Sequence, residues 1–518
     1  MGQIAVSNLS FCYDGNYDNV FTNISFNIDT NWKLGLIGRN GKGKTTLLKL
    51  FMNEYVYNGS ITSNIKFDYF PYDISTCDLN EPVNHLISFW KPNVELWQVI
   101  LQMNSLQMKT EILDMPFNTL SYGERSRIML AVLFATENEF LLIDEPTNHL
   151  DYDARNIIRD FLSKKKGFIL VSHDRDLLDA TVDHLLILNK STVEIQNGNF
   201  SSWWVNKEKK DAFTISENEK HIKEIHKLKV ASERTANWAK KNESSKIGFD
   251  PIKENDRDIS TRSFIGKRTK KLQSRVKSYE KRIGREIDAK EGLLKDVESV
   301  DELKIYPITS TKNPLVATKN FAIGYKEDSM LFSHLSFEIN SSDRILISGN
   351  NGCGKSTLIK AILNKNAINN KNSTNNIFFT EGILYTINNL TISYINQDTS
   401  FLKGTLEDFC IQENLDASLL FSIMSQLGVT REQFYKKIEN YSEGQKKKLL
   451  IAQSLIKPAH LYIWDEPLNY IDVFTRIQIE KLILKYSPTM LIVDHDIQFQ
   501  NNIATKRIKL NEYQSRIY

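Results

Sequence analysis

Two stretches of this sequence have the residue types of a phosphate cradle. Gly38-Arg39-Asn40-Gly41-Lys42-Gly43-Lys44-Thr45 and Gly349-Asn350-Asn351-Gly352-Cys353-Gly354-Lys355-Ser356 carry glycines at matching places and end in a lysine followed by a hydroxyl residue. The glycines let several backbone N–H groups converge on phosphate oxygens, and nothing bulky blocks the approach. Lys44 and Lys355 would neutralise β- and γ-phosphate charge, and Thr45 and Ser356 could ligate Mg2+. Thr46 and Thr357 continue each loop into a helix whose N-terminus adds positive potential.

Further along each half, Leu141-Leu142-Ile143-Asp144-Glu145 and Leu461-Tyr462-Ile463-Trp464-Asp465-Glu466 are apolar runs ending in paired carboxylates. A buried strand delivers such acids to one rim of a sheet. Asp144 and Asp465 would there meet Mg2+, directly or through water, while Glu145 and Glu466 polarise the attacking water. A Glu rather than a Gln at that place argues for hydrolysis. His173 and His495 each follow another apolar run, Phe168 to Val171 and Met490 to Val493, which puts an imidazole near the γ-phosphate in both halves. Ser121/Gly123 and Ser442/Gly444 precede helical stretches, and helix N-termini bind anions.

These motifs recur in one order. The phosphate loops are 311 residues apart, Ser121 and Ser442 are 321 apart, Asp144 and Asp465 also 321, and His173 and His495 are 322 apart. One module of about 200 residues is therefore written twice. The change from 311 to 321 needs an insertion, read as a loop excursion in the Asn-rich stretch Asn364 to Asn376. A strand enters each loop, as Leu34-Gly35-Leu36-Ile37 does, and a helix such as Thr45 to Phe51 leaves it. The fold class is α/β: two P-loop nucleotide-binding domains, 1–205 and 305–518, joined by a helical linker, 206–304.

Composition agrees with a soluble chain. Of 518 residues 41% are hydrophobic and 25% charged, mean hydropathy is −0.36, and no apolar run approaches a membrane span. The N-terminus lacks an export signal, and Cys12, Cys77, Cys353 and Cys410 stand apart without CxxC pairing, so reduced thiols in the cytoplasm are expected. A net charge of +3 hides an uneven distribution. Residues 205–305 hold 26 Lys and Arg against 19 Asp and Glu, which leaves the remainder acidic. Such a basic stretch is either a solvated helix face or a nucleic-acid contact.

The order of phosphate loop, Ser-x-Gly signature, paired acids and histidine resembles the ATP-binding cassette superfamily. That resemblance implies that the signature of one copy completes the nucleotide site of the other, so that a monomer pairs its own cassettes. One site would join Lys44, Asp144, Glu145 and His173 to Ser442 and Gly444, and the second would join Lys355, Asp465, Glu466 and His495 to Ser121 and Gly123. Gly38, Asn40, Gly41, Gly43, Gly349, Asn351, Gly352 and Gly354 complete the loops. Tyr13 and Tyr325 match the position where a ring stacks on adenine, a position that a core aromatic also fills. Gln397 fits the glutamine that contacts the metal, but the first copy has Tyr72 there, so one metal site is expected to be coordinated differently.

No membrane domain accompanies the cassettes, and the linker shows what else they could move. Ile222, Ile225, Leu228 and Trp238 before a turn region at Ser244 to Ser263, and Leu272, Val276, Tyr279, Ile283 and Ile287 after it, mark two helical stripes of about 35 to 40 residues each. A hairpin of that size is on the order of 50 Å long. Lys246, Phe249, Arg262, Phe264, Lys267 and Arg268 at its tip suit RNA, with Phe249 either stacking outward or folded into the turn. Tandem cassettes with such a linker resemble the ABC-F proteins. The resemblance implies a bacterial 70S ribosome partner, with contacts to 23S rRNA at the tRNA exit site and to P-site tRNA, and neither DNA nor membrane. The interval from Tyr72 to Ser121 nearly equals that from Gln397 to Ser442, leaving no room for the extra arm of housekeeping members. That feature is similar to the antibiotic-resistance branch, the Lsa-type proteins associated with lincosamides, pleuromutilins and streptogramin A. A housekeeping translation factor and the ATPase subunit of a membrane transporter are the competing expectations.

Overall fold

The strand Lys33–Gly38, leading into the first phosphate loop, is buried along almost its whole length, as expected for a central parallel strand covered on both faces. The computed structural model describes residues 2–13, 19–74, 77–136, 139–148, 150–189, 192–244, 274, 277–278, 281–283, 303–326, 329–350, 352–369 and 379–513. In the first cassette six strands lie side by side in the order Lys66–Phe70, Glu139–Asp144, Phe168–Val171, Lys33–Gly38, His184–Leu188 and Val193–Asn197. All neighbouring pairs are parallel except the last. The second cassette repeats the parallel part as Ile392–Ile395, Leu461–Asp465, Met490–Val493, Arg344–Ser348 and Lys506–Lys509.

This order positions the chemistry. The strand bearing Asp144 and the strand entering the phosphate loop are separated by Phe168–Val171, which runs into His173. Three adjacent carboxyl ends thus deliver loop, acids and histidine to one rim, where ligands of open α/β sheets bind.

Each cassette adds a three-stranded antiparallel sheet. It is built from Phe21–Asp29, Gln3–Phe11 and Asn58–Thr62 in the first, and from Ser329–Ile339, Val316–Lys326 and Phe379–Thr386 in the second. The phosphate-loop helix is clamped between the two sheets: Leu47, Leu48, Leu50 and Phe51 share one core with Ile4, Val6 and Leu9 of the antiparallel sheet and Leu34 and Leu36 of the parallel one. In the second cassette Leu358, Ile359 and Ile362 take the same place among Val316, Phe321, Phe332, Ile345 and Ile347. The loop is therefore anchored through a helix packed on two faces.

Between the parallel sheet and the signature helix, each cassette has the same four pieces. Helices Val83–Trp90 and Leu96–Ser105 with short 3-10 turns at Thr110–Asp114 and Phe117–Thr119 match Leu406–Glu413 and Ala417–Gln426 with turns at Arg431–Tyr435 and Ile438–Asn440. Among the described residues of this interval the first cassette has no additional element.

The Asn-rich insertion differs from expectation at its start. Asn364 to Asn369 are helical, because the helix leaving the second phosphate loop runs from Lys355 to Asn369, 15 residues against 8 in the first copy. Asn366 ties it to the sheet side by donating to the Leu390 carbonyl at 3.1 Å.

The chain divides into two compact units, Met1–Ser201 with Asp301–Tyr518, and Ser202–Val300. Both cassettes lie in the first. The second is represented chiefly by the helix Phe200–Ser244, whose 45 residues span about 67 Å at 1.5 Å per residue. Ile225 is buried on it, whereas Ile222 is 55% exposed. Residues three apart stand 60° from one another around a helix, so the covered stripe is narrower than the apolar pattern implies. The tip residues Lys246, Phe249, Arg262, Phe264, Lys267 and Arg268 lie outside the described residues. No described helix is long and apolar enough to cross a membrane, and no disulfide joins the four cysteines.

Candidate nucleotide site

Both phosphate loops are built alike. Lys44 is buried and donates to the carbonyl of Gly38 at 2.9 Å and to Asn40 Oδ1 at 3.4 Å. Lys355 donates to the carbonyls of Gly349 and Asn350 at 2.8 and 3.0 Å. The ammonium groups are thus held in the loop by neutral acceptors. Gly41 and Gly352 adopt φ of 80° and 83°, and a Cβ at either would meet nothing within 4 Å. Their role is to permit the left-handed backbone at an open loop mouth. Asn351 lies outside the described residues.

Thr45 Oγ1 donates to Asp144 Oδ2 at 2.7 Å, and Ser356 hydrogen-bonds Asp465. Asp465 also keeps Oδ1 buried without a partner, a lone-pair site that a divalent ion would satisfy. The hydroxyl, the carboxylate and the adjacent lysine form a donor set that fits Mg2+ with a triphosphate. The next residues hold the aromatic candidates: Tyr13 Oη lies 2.6 Å from Thr46 Oγ1, and Tyr325 Oη lies 3.2 Å from Thr357 Oγ1. Tyr13 packs edge-on against Phe11 and Tyr55, whereas Tyr325 is 57% exposed.

Glu145 and Glu466 both take a left-handed backbone, φ 52° and 48°. Non-glycine residues adopt this region at a cost, and it recurs at both positions. His173 Nε2 lies 3.4 Å from Glu145 Oε1, and His495 Nε2 lies 3.4 Å from Glu466 Oε1. The two glutamates differ in charge. Burial and the neighbouring Asp144 push Glu145 up to about 8, and burial with the Lys44 and Arg476 cations holds His173 well below the ordinary histidine value. In the first site burial therefore disfavours charge on both the carboxyl and the imidazole. Burial also penalises the Glu466 carboxylate, yet the hydrogen bond and charge of His495, with Lys355 and Lys447, hold it below the ordinary glutamate value.

Lys447 is one residue that motif reading missed. It is buried in the signature helix, donates to the Asn396 carbonyl at 3.0 Å and feels Glu466, Asp465 and Asp494. At the matching place the first cassette has Ser126.

The departure at Tyr72 has a structural answer. Tyr72 donates to Asp68 Oδ2 at 2.9 Å and stacks on Trp90, so it is tied away from the acids. Tyr69, three residues earlier, donates to Asp144 Oδ2 at 3.2 Å instead. In the second cassette Gln397 donates to Glu466 Oε2 at 2.8 Å, joined there by Asn469 at 2.8 Å. The Gln397 amide thus holds the glutamate in this structure rather than Asp465. Tyr69 has a repeat partner in Tyr394, paired with the corresponding residue of the acid-bearing strand, and that recurrence was the sequence signal that could have found it.

Ser121 and Ser442 cap the helices Tyr122–Leu133 and Glu443–Ile456 in capping boxes with Glu124 and Gln445, each cap being worth about 1 kcal/mol. The second signature faces the first phosphate loop. Asn40 Nδ2 donates to the Tyr470 carbonyl at 2.8 Å, and a Cβ on Gly444 would stand 3.2 Å from that amide. Gly123, in contrast, has Leu150 and Ala154 of its own cassette as neighbours. On that side Arg155 Nη1 donates across to the His495 carbonyl at 3.5 Å. Beside the first site Asp472, which is fully buried, pairs with Lys448 at 2.9 Å.

Residues 21–148 and 332–469 match the family model described as ABC transporter. The chain is 26% identical over 514 residues to ribosome protection protein VmlR of Bacillus subtilis (strain 168), covering 98% of this chain and 86% of that protein. It is 28% identical over 513 residues to ATP-binding protein Uup of Buchnera aphidicola subsp. Schizaphis graminum (strain Sg), with 94% and 77% covered. Its identity to ABC transporter F family member 2 of Arabidopsis thaliana is 22% over 563 residues, with 98% and 76% covered. The solved complex of archaeal ribosomal stalk protein aP1 with archaeal ribosome recycling factor aABCE1 shares the fold at a TM-score of 0.59 and 17% identity, covering 97% of this chain and 87% of that one.

The doubled sheet, the two phosphate loops and the acids beside them define an ATPase of the cassette type. The chain belongs to the ABC transporter family by its matched domains, and within that family it is an ABC-F ATPase.

Proposed function

We propose that this ATPase clamps two ATP molecules between its cassettes and, in that closed state, occupies the tRNA exit site of the bacterial 70S ribosome. The cassettes are taken as 1–205 and 305–518, and the linker as 206–304. The linker tip reaches the end of the P-site tRNA and rearranges the drug pocket, dislodging lincosamides, pleuromutilins and streptogramin A. Hydrolysis opens the clamp and releases the protein.

The observation that carries this reading is the hydrogen bond from Asn40 to Tyr470 beside Gly444, which brings one cassette's signature onto the other's phosphate loop. Lys44 and Lys355 hold β- and γ-phosphate charge, and Glu145 and Glu466 orient the attacking water and accept its proton. His173 and His495 hold those carboxyl groups in place. Thr45, Ser356, Asp144 and Asp465 would hold Mg2+, which neutralises charge on the transferring phosphoryl group when bound. Ser121, Gly123, Ser442 and Gly444 close over the γ-phosphate from the opposite cassette. Support for the ribosome comes from the name of the VmlR relative and its coverage. The equal helical intervals of the two cassettes support the branch without an arm.

The test pairs two variants. E145Q/E466Q should retain ATP and co-sediment with 70S particles, and free sedimentation in ATP would reject the ribosome reading. Deleting residues 244–263 should abolish protection of a host against these drugs while leaving ATP hydrolysis intact. Protein that binds ribosomes but protects against none of the drugs is a housekeeping factor, and fractionation with membranes would indicate a transporter subunit.

A further inference from the structure

The two cassettes are joined by a buried ion cluster whose crossing arm, among the described residues, stands on one side of the repeat only. Arg175 of the first cassette is 4% exposed. Its guanidinium donates through Nη1 to Glu480 Oε2 at 3.3 Å, through Nη2 to Glu480 Oε1, and through Nη2 to Asp496 Oδ1 at 3.4 Å, both acceptors belonging to the second cassette. Arg476 completes the cluster by donating to Asp496 Oδ2 at 3.0 Å, and Asn502 donates to Glu480 Oε2 at 3.2 Å. At the mirror positions stand Ile497 in place of Arg175 and Arg159 in place of Glu480. Arg159 turns to its neighbour Asp160 instead. Arg155 and Asp174 repeat the Arg476–Asp496 pair at 3.7 Å, but with Ile497 in place of Arg175 the arm that crosses between cassettes has no counterpart.

What the cluster joins gives it a role. Arg175 stands two residues after His173, and Asp174 between them caps the helix Arg175–Thr181. Asp496 directly follows His495 and caps the helix Ile497–Ile503. The side-chain bridge thus connects the two segments that hold the switch histidines, each in contact with its catalytic glutamate. If one segment moved while the guanidinium stayed buried, the charge would lose its carboxylates at high cost, which favours movement of the two segments together.

We propose that Arg175 is a positioning residue that couples the two nucleotide sites, making release of one switch histidine depend on the state of the other. This rests on the ATPase activity alone and does not require the ribosome. Site-specific blocks read it. In the parent protein E145Q should lower total ATP turnover to below about one tenth, because the stalled first site holds the second. In an R175M background the same E145Q change should leave about half of the R175M turnover, since each site then runs by itself. R175K, which keeps a cation, should restore the coupled behaviour. A merely weakened seam would raise KM for ATP in every variant without changing that ratio. The inference is overturned if R175M/E145Q falls as far as E145Q does alone, or if E145Q leaves half the activity of the parent. Should R175M fail to fold, E480Q with and without E145Q carries the same comparison and the same two outcomes.

Discussion

The side-chain amide of Asn40 donates to the main-chain carbonyl of Tyr470 at 2.8 Å, across 430 residues of sequence. Gly444 sits beside this bond. A Cβ there would lie 2.6 Å from the same carbonyl oxygen, closer than atoms pack, and backbone cannot yield as a flexible side chain does. Closure at the first site therefore depends on a missing side chain.

Gly444→Ala should lower kcat/KM for ATP by at least about tenfold, an effect of roughly 1.4 kcal/mol or more, with an unchanged circular dichroism spectrum. Steady-state hydrolysis checks it, and parental kinetics would show that the seam closes by another route.

Asn40→Ala removes the hydrogen bond to Tyr470, for which about 1 kcal/mol is typical, together with the longer one that Asn40 accepts from Lys44 at 3.4 Å. KM for ATP should rise about fivefold with kcat little altered, measured over an ATP titration.

Tyr69→Phe deletes the hydroxyl that donates to Asp144, and Gln397→Ala deletes the amide that donates to Glu466. The first should weaken Mg2+ binding, seen as a higher Mg2+ concentration for half-maximal turnover. The second should act chiefly on kcat, because its partner is the glutamate proposed to activate water. Tyr72→Phe, whose partner is Asp68, should leave both parameters near those of the parent.

The pair Lys448 and Asp472 gives a pH prediction. Burial opposes the Asp472 carboxylate, but the Lys448 charge and hydrogen bond outweigh it and hold Asp472 well below the usual aspartate value. A depressed folded value means that the stabilisation is fully present above the unfolded value of about 4 and is lost as pH falls below it. Asp472→Asn should flatten the acid limb of the stability curve below about pH 4. Lys448→Met, which leaves a buried carboxylate unpaired, should cost about 3–5 kcal/mol at neutral pH. Urea titrations from pH 3 to 7 measure both.

Much of this molecule was legible as sequence because its chemistry is local. Lys44 and Thr45 follow their glycines directly, and Asp144 and Glu145 end an apolar run, so spacing alone named the donors and the strand that carries them. The repeat did the same for the fold, since two copies of one order imply two α/β sheets. What spacing could not supply was every relationship that crosses the seam. Asn40 to Tyr470, Arg175 to Glu480 and Asp496, and Arg155 to His495 join groups hundreds of residues apart, and no motif says which of them meet. Their partners are set by how two packed cassettes meet. The exchange of Tyr72 for Tyr69 has the same origin: hydrogen-bond partners at a sheet edge depend on which rotamer the neighbours allow, and Trp90 with Asp68 decided that only once the chain was folded.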